Sequence, residues 1–310
     1  MEKIIQFIIF SIILLVIIIF IYNVTNRRTN ICNIYDNFKQ EQDNITDKIY
    51  PIKLKDIFIK SAYNCCCIGG IKNDYVDLCA LKMCLKNNAR CLDFQIFSLN
   101  DEPIIAASTS KSFEYKEIYN YLSLGDTLRE VNNLFCNKYL AKSDIASPLF
   151  LNFRINSNNP LIFNKIHKYI LNTFNGSYNI LLTDDRKELK DYTFDELRNK
   201  VIIMVDITES LENKNTFENS KLSDITNIKY GITHISNRPS FTMIDANSKD
   251  ISCIYPNIYP NSKNYDTINE GFNKKYNFIF VNFQHSDEYL KVYKKVFNSS
   301  SFKDMNTYKF

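Results

Sequence analysis

From Ile4 to Ile21 the chain reads IIQFIIFSIILLVIIIFI, eighteen residues in which only Gln6 and Ser11 are polar. As a helix this run is about 27 Å long at 1.5 Å per residue, against roughly 30 Å of bilayer hydrocarbon, so it predicts a membrane span over residues 4–22. The YNVTNRRTN that follows offers no small-residue cleavage site, which makes the span an uncleaved anchor. Residues 23–47 are polar and predict a stalk. Beyond them the period changes. NDYVDLCALKMCLKNN places Val76, Cys79, Ala80, Met83 and Cys84 on one helix face, with Asn73 or Asp74 as the cap, and ARCLDFQIF then alternates as a strand.

The same succession recurs. SPLFLNFRI predicts a strand and LIFNKIHKYILNTF a helix; KVIIMVDI and NFIFVNFQ predict strands, the latter leading into the helical DEYLKVYKKVF. Continuous Ile, Val and Phe runs alternating with amphipathic helices indicate a mainly parallel sheet covered on both faces, and at this length a (β/α) barrel closes it naturally. Residues 207–250, which include TESLENKNTFENSKLSD, are poor in apolar residues and predict a mobile linker between residues 48–206 and 251–310.

Charge changes this picture little. Of 310 residues, 38 are Lys or Arg and 34 Asp or Glu, interspersed along the chain, which excludes a nucleic-acid footprint. Lys3 and the α-amino group, offset by Glu2, precede the span; Arg27 and Arg28 follow it and favour a cytoplasmic body. Nine cysteines, an odd number with Cys65, Cys66 and Cys67 adjacent, predict reduced structural thiols rather than a disulfide framework or a zinc site. Sequons at Asn23, Asn44, Asn175 and Asn298 are expected by chance in so Asn-rich a chain.

SAYN, NNARCLDFQIFSLNDEPIIAAS, SPLFLNFRI and NKVIIMVD, in order and spacing, resemble the X region of phosphatidylinositol-specific phospholipase C. DISCIYPNIYPNSKNYDTINEGFNKKYNFIFVNFQHSDE resembles its Y region, and together they span roughly residues 48 to 300. The resemblance implies a TIM-type barrel with its site at the C-terminal ends of the strands. It also implies hydrolysis of an inositol phospholipid by two histidines, with calcium held by an Asn, two Glu and an Asp.

Carried over residue by residue, the pattern is degenerate. The histidine positions fall on Tyr63 and on Ala107 or its neighbour Ala106, and the calcium positions on Asn64, Asp93, Gln95 and Arg154. Tyrosine, with an ordinary pKa of about 10, is a poor base near pH 7, and alanine transfers no proton. A guanidinium among calcium ligands repels the ion, so no metal is expected. Two readings stay open for Arg154: fixed positive charge facing a phosphate, or, preferred, an internal ion pair with Asp93 filling the metal site. Tyr255 matches a sugar-stacking tyrosine and Ser252 the Ser of the same pattern, whereas its arginine is Cys253, and two family lysines correspond to Met204 and Asp206. His167, His234 and His285 read as surface or packing residues, and the cysteines beside the mouth lack the base that a catalytic thiol needs. The expectation is a single-pass, catalytically inactive module that binds a membrane lipid such as an inositol phospholipid headgroup, or acts as a scaffold. The alternative is an active phosphodiesterase using a different acid-base set.

Overall fold

The computed structural model describes residues 2–39, 49, 51–109, 113, 117–135, 147–175, 181–183, 187–230, 235–238, 241–245, 251–256, 263–298 and 300–307. Its first element is α1 (Glu2–Asp36). Among the described residues this one helix is long and apolar enough to cross a membrane, and none of its apolar window is buried against the rest of the chain. The helix continues fourteen residues past the expected span, so residues 23–36 are helical where a stalk was expected. The reason is tertiary: this polar half is clasped by the body. Arg27 forms a bidentate pair with Asp74 at 3.0 and 2.7 Å, Arg28 pairs with Asp77, and the Tyr35 hydroxyl donates to the Ile68 carbonyl at 2.7 Å.

Strand β1 (Ile57–Ala62) leads to α2 (Leu78–Lys86), then β2 (Cys91–Leu99), β3 (Glu102–Ile105), β4 (Leu122–Ser123), α3 (Leu124–Asn132), β5 (Leu149–Ile155), α4 (Leu161–Phe174) and β6 (Val201–Asp206). Helix α2 starts later than the periodicity suggests. Asp77 accepts from the Cys79 amide as its cap, while Asp74 is held by Arg27. The chain continues through α5 (Lys214–Glu218), α6 (Lys221–Asp224), β7 (Ile228–Tyr230), β8 (Ile235–Arg238), β9 (Phe241–Asp245), β10 (Ser252–Pro256), β11 (Phe278–Val281), α7 (Glu288–Val296) and β12 (Phe302–Asp304). The expected 207–250 linker thus carries elements. Phe217, Leu222, Ile228 and Tyr230 anchor them in the core, although the polar residues between lower the average hydrophobicity of the segment.

Strands β7-β6-β5-β2-β1-β11-β10 run parallel in that order, with β9 and β8 continuing antiparallel from β10. Strands β1, β5, β6 and β11 are buried along their whole length, as expected for a parallel sheet covered on both faces. The sheet is curled. Phe150 on β5 meets Phe278 on β11 at 5.1 Å between ring centroids although two strands lie between them, and Asn152 on β5 bonds the Tyr255 hydroxyl on β10. Sequence and structure therefore agree on a TIM-type (β/α) barrel, preceded by one helix able to span a membrane.

Cysteine usage needs correcting. Cys32 on α1 and Cys79 on α2 form a disulfide, their Cα atoms 5.4 Å apart. Continuation of α1 past the span brings together two residues that are 47 apart in sequence. The remaining described cysteines, Cys65, Cys66, Cys67, Cys84, Cys91 and Cys253, are buried and reduced, and Cys136 lies outside the described residues.

Candidate functional site

Parallel strands put their C-terminal ends at one mouth, and register decides which side chains meet there. Asp93 pairs in register with Asn152, Gln95 with Arg154, and Arg154 in turn with Asp206. Asn64 follows β1 in a left-handed turn with φ of 42°, a conformation that Asn tolerates because its short amide bonds locally. Its backbone amide thereby donates to Asp93 Oδ2 at 2.9 Å.

The centre of the cluster is a buried ion pair. Arg154 donates from Nε to Asp93 Oδ1 and from Nη2 to Asp93 Oδ2, both at 2.8 Å, and Nη2 also donates to Asn64 Oδ1 at 2.5 Å. Asn152 Nδ2 donates to Asp93 Oδ1 and to the Tyr255 hydroxyl, each at 2.8 Å. The guanidinium lies over the Tyr63 ring, 4.5 Å from its centroid, and Tyr63 leans on Tyr255. Tyr255 stacks on Phe280 at 4.6 Å. Of the sequence-named residues, Tyr63, Asn64, Asp93, Arg154 and Tyr255 therefore converge.

Others do not. Gln95 turns away to exchange hydrogen bonds with the Ser108 backbone, beside the buried Ala106 and Ala107. Ser252 opens β10 at the opposite end, its amide bonded to Asn277 Oδ1. His167 sits on α4 outside the sheet, His285 is a partly exposed residue 3.9 Å from Asp287, and His234 lies outside the described residues. Asn152 was missed by sequence reasoning. The available signal was its position two residues before Arg154 on an alternating strand, which puts both on one face.

Electrostatics follow from burial. Desolvation pushes the Tyr63 phenol up to about 12, beyond the lowering influence of Arg154, so it is no base near neutral pH. Burial lowers the tendency of Arg154 to stay charged, but Asp93 and Tyr63 outweigh it and hold the guanidinium protonated. Asp206, 4% exposed at the end of β6, has its carboxyl pushed up by burial against the hydrogen bonds from Thr208. Burial likewise raises the thiols of Cys65 and Cys67, which makes them inert.

The donor set does not fit calcium. A carboxylate offers about four lone-pair sites, and those of Asp93 receive Arg154 twice, Asn152 and the Asn64 amide. Gln95 is committed elsewhere and Arg154 is cationic, so no set of anionic oxygens remains for a hard cation.

The chain superposes on L. pealei PLC21 with a TM-score of 0.58 and 16% identity, covering 82% of this chain and 37% of that one. It superposes on S. officinalis PLC21 with a TM-score of 0.59 and 16% identity, covering 83% and 37%. The fold is phospholipase C-like. A phosphatidylinositol-specific phospholipase C of S. aureus also matches, with a TM-score of 0.45 and 13% identity over 79% of this chain and 76% of that one. The phospholipase C-like chain spans 37% of the length of the PLC21 chains. No family model matches it, and no curated protein matches it.

Proposed function

We propose that this chain is a membrane-anchored, catalytically silent phospholipase C-like module that works as a scaffold at a bilayer. One observation carries the reading: Arg154 saturates Asp93 at the mouth, so the centre is a closed, neutral ion pair rather than an assembly poised to act on a phosphodiester. Tyr63 and Ala107 stand where the resemblance expects histidines, and no described histidine replaces them. Asp206, a carboxylate beside Arg154 in register, opposes a polyanionic headgroup.

A second reading, headgroup binding, is favoured by one feature. Asn64 Nδ2 and Asn152 Oδ1 are buried without a hydrogen-bond partner among the described residues, a donor and an acceptor that a sugar hydroxyl satisfies.

Sidedness rests on two opposed signals. Arg27 and Arg28 favour a cytoplasmic body only weakly, because Lys3 and the α-amino group stand on the other side of the span. The Cys32–Cys79 disulfide belongs to an oxidising compartment. We therefore assign the body to the oxidising face.

The test is the full chain in nanodiscs containing phosphatidylinositol, assayed with and without calcium. No release of water-soluble inositol phosphate is expected. Release that Arg154→Ala abolishes would establish the phosphodiesterase alternative instead. Thermal shift with millimolar inositol phosphates separates the other two: no shift for the scaffold, a shift for headgroup binding.

A further inference from the structure

The anchor runs unbroken into a helical segment that the body clasps, and this sets which face of the barrel is nearest to lipid. The apolar run ends at Ile21, and α1 continues without a break. Contact with the body begins at Val24, whose carbonyl accepts from the Tyr75 hydroxyl at 3.4 Å. Three helical residues advance about 4.5 Å, while a headgroup layer is roughly 5–8 Å deep on each side of the hydrocarbon. Tyr75 therefore lies at headgroup depth.

Around Tyr75 the surface is aromatic. Tyr119 packs on it at 5.1 Å between ring centroids and is 50% exposed, and Tyr121 is 46% exposed. These are among the few large apolar side chains left open among the described residues of the body, and tyrosine is a residue type that concentrates at the membrane–water interface because its ring is apolar and its hydroxyl wet. The charges here are mutually balanced: Arg27 with Asp74, Arg28 with Asp77, and Lys72 with Glu117 at 2.9 Å. Among the described residues the patch thus has no excess charge to select an anionic lipid. Helix α1 is tied to the body by the Cys32–Cys79 bridge and by Lys86, whose Nζ donates to the Asp36 carbonyl at 2.7 Å at the far end of α1.

We propose that the face formed by Tyr75, Tyr119 and Tyr121 is a membrane-contact surface seated among the headgroups of a zwitterionic bilayer and held there by α1. The proposal rests on the anchoring reading above, and the experiment separates the two. The chain has no tryptophan, so single reporters are clean. Full-length Phe10→Trp, Tyr119→Trp and Tyr121→Trp chains are reconstituted in phosphatidylcholine nanodiscs built with a tryptophan-free scaffold protein and carrying either brominated acyl chains or a headgroup nitroxide. Bromine quenching of the Phe10→Trp chain establishes the span. With the span established, loss of most emission from the Tyr119→Trp and Tyr121→Trp chains to the headgroup nitroxide, unchanged by added salt, supports the contact surface. Undiminished emission from both, with quenching by aqueous iodide instead, overturns it while leaving the anchor intact. An unquenched Phe10→Trp chain overturns both.

Discussion

Arg154 and Asp93 meet through two parallel hydrogen bonds of 2.8 Å, inside a barrel where Asp93 is fully buried and Arg154 nearly so. Breaking such a pair strands a charge, whereas replacing both partners removes the desolvation cost as well as the attraction. Arg154→Met is expected to destabilise the body by about 3–5 kcal/mol, and Arg154→Met with Asp93→Leu by much less. Urea unfolding of the two variants checks this; equal losses would show that packing against Tyr63, rather than charge, dominates.

The Cys32–Cys79 bridge closes a long loop and ties the anchor to α2. Cys32→Ser is expected to cost about 2–5 kcal/mol in the free energy of holding α1 against the body. Limited proteolysis reads it: cleavage between α1 and β1 accelerates in the variant and in the reduced protein, while the barrel itself survives.

Glu117 supplies a pH dependence. Burial raises its carboxyl, but hydrogen bonds from Thr109, Lys72 and Ser108 outweigh that and hold it down to about 2. A carboxyl depressed in the folded state binds fewer protons there than when unfolded, so its stabilisation is present above about 4.5 and is lost as the pH falls toward 2. Thermal melts of the wild type against Glu117→Gln should diverge above that window and converge below it.

Asn277 is a buried knot beneath β1 and β10. Its Nδ2 donates to the carbonyls of Leu54, Lys55 and Ile57 at 3.0 to 3.1 Å, and its Oδ1 accepts from the Ser252 amide. Asn277→Ala removes all of these bonds; the Leu54 carbonyl keeps the Ile57 amide, while the buried Ile57 carbonyl and the part-buried Ser252 amide lose the partner that Asn277 gave them. A loss of about 2–4 kcal/mol is expected from denaturant titration, given about 1–3 kcal/mol for each stranded buried group and some relaxation.

Much of the architecture was legible in the hydrophobic period. The apolar run, the strands at β2, β5, β6 and β11, and the amphipathic α4 and α7 follow from patterns that solvent exclusion imposes locally. The 207–250 segment has the pattern of a linker because its anchors, Phe217, Leu222 and Tyr230, are widely spaced, so their burial depends on partners elsewhere. Phe217, for instance, packs on Phe163 of α4. Ser252 and Gln95 were grouped with the mouth on resemblance, and register and side-chain direction remove them.

By itself, the sequence determined the class of fold, an apolar helix ahead of an α/β barrel, and which chemistries Tyr63, Ala107 and Arg154 are suited to supply. Only the tertiary structure decided that Arg154 faces inward and saturates Asp93, that Asn152 bridges Asp93 to Tyr255, and that Cys32 reaches Cys79. Local pattern reports which side chains leave water. Which of them then meet depends on strand register and on the docking of α1, and these are fixed by contacts between residues far apart in the chain.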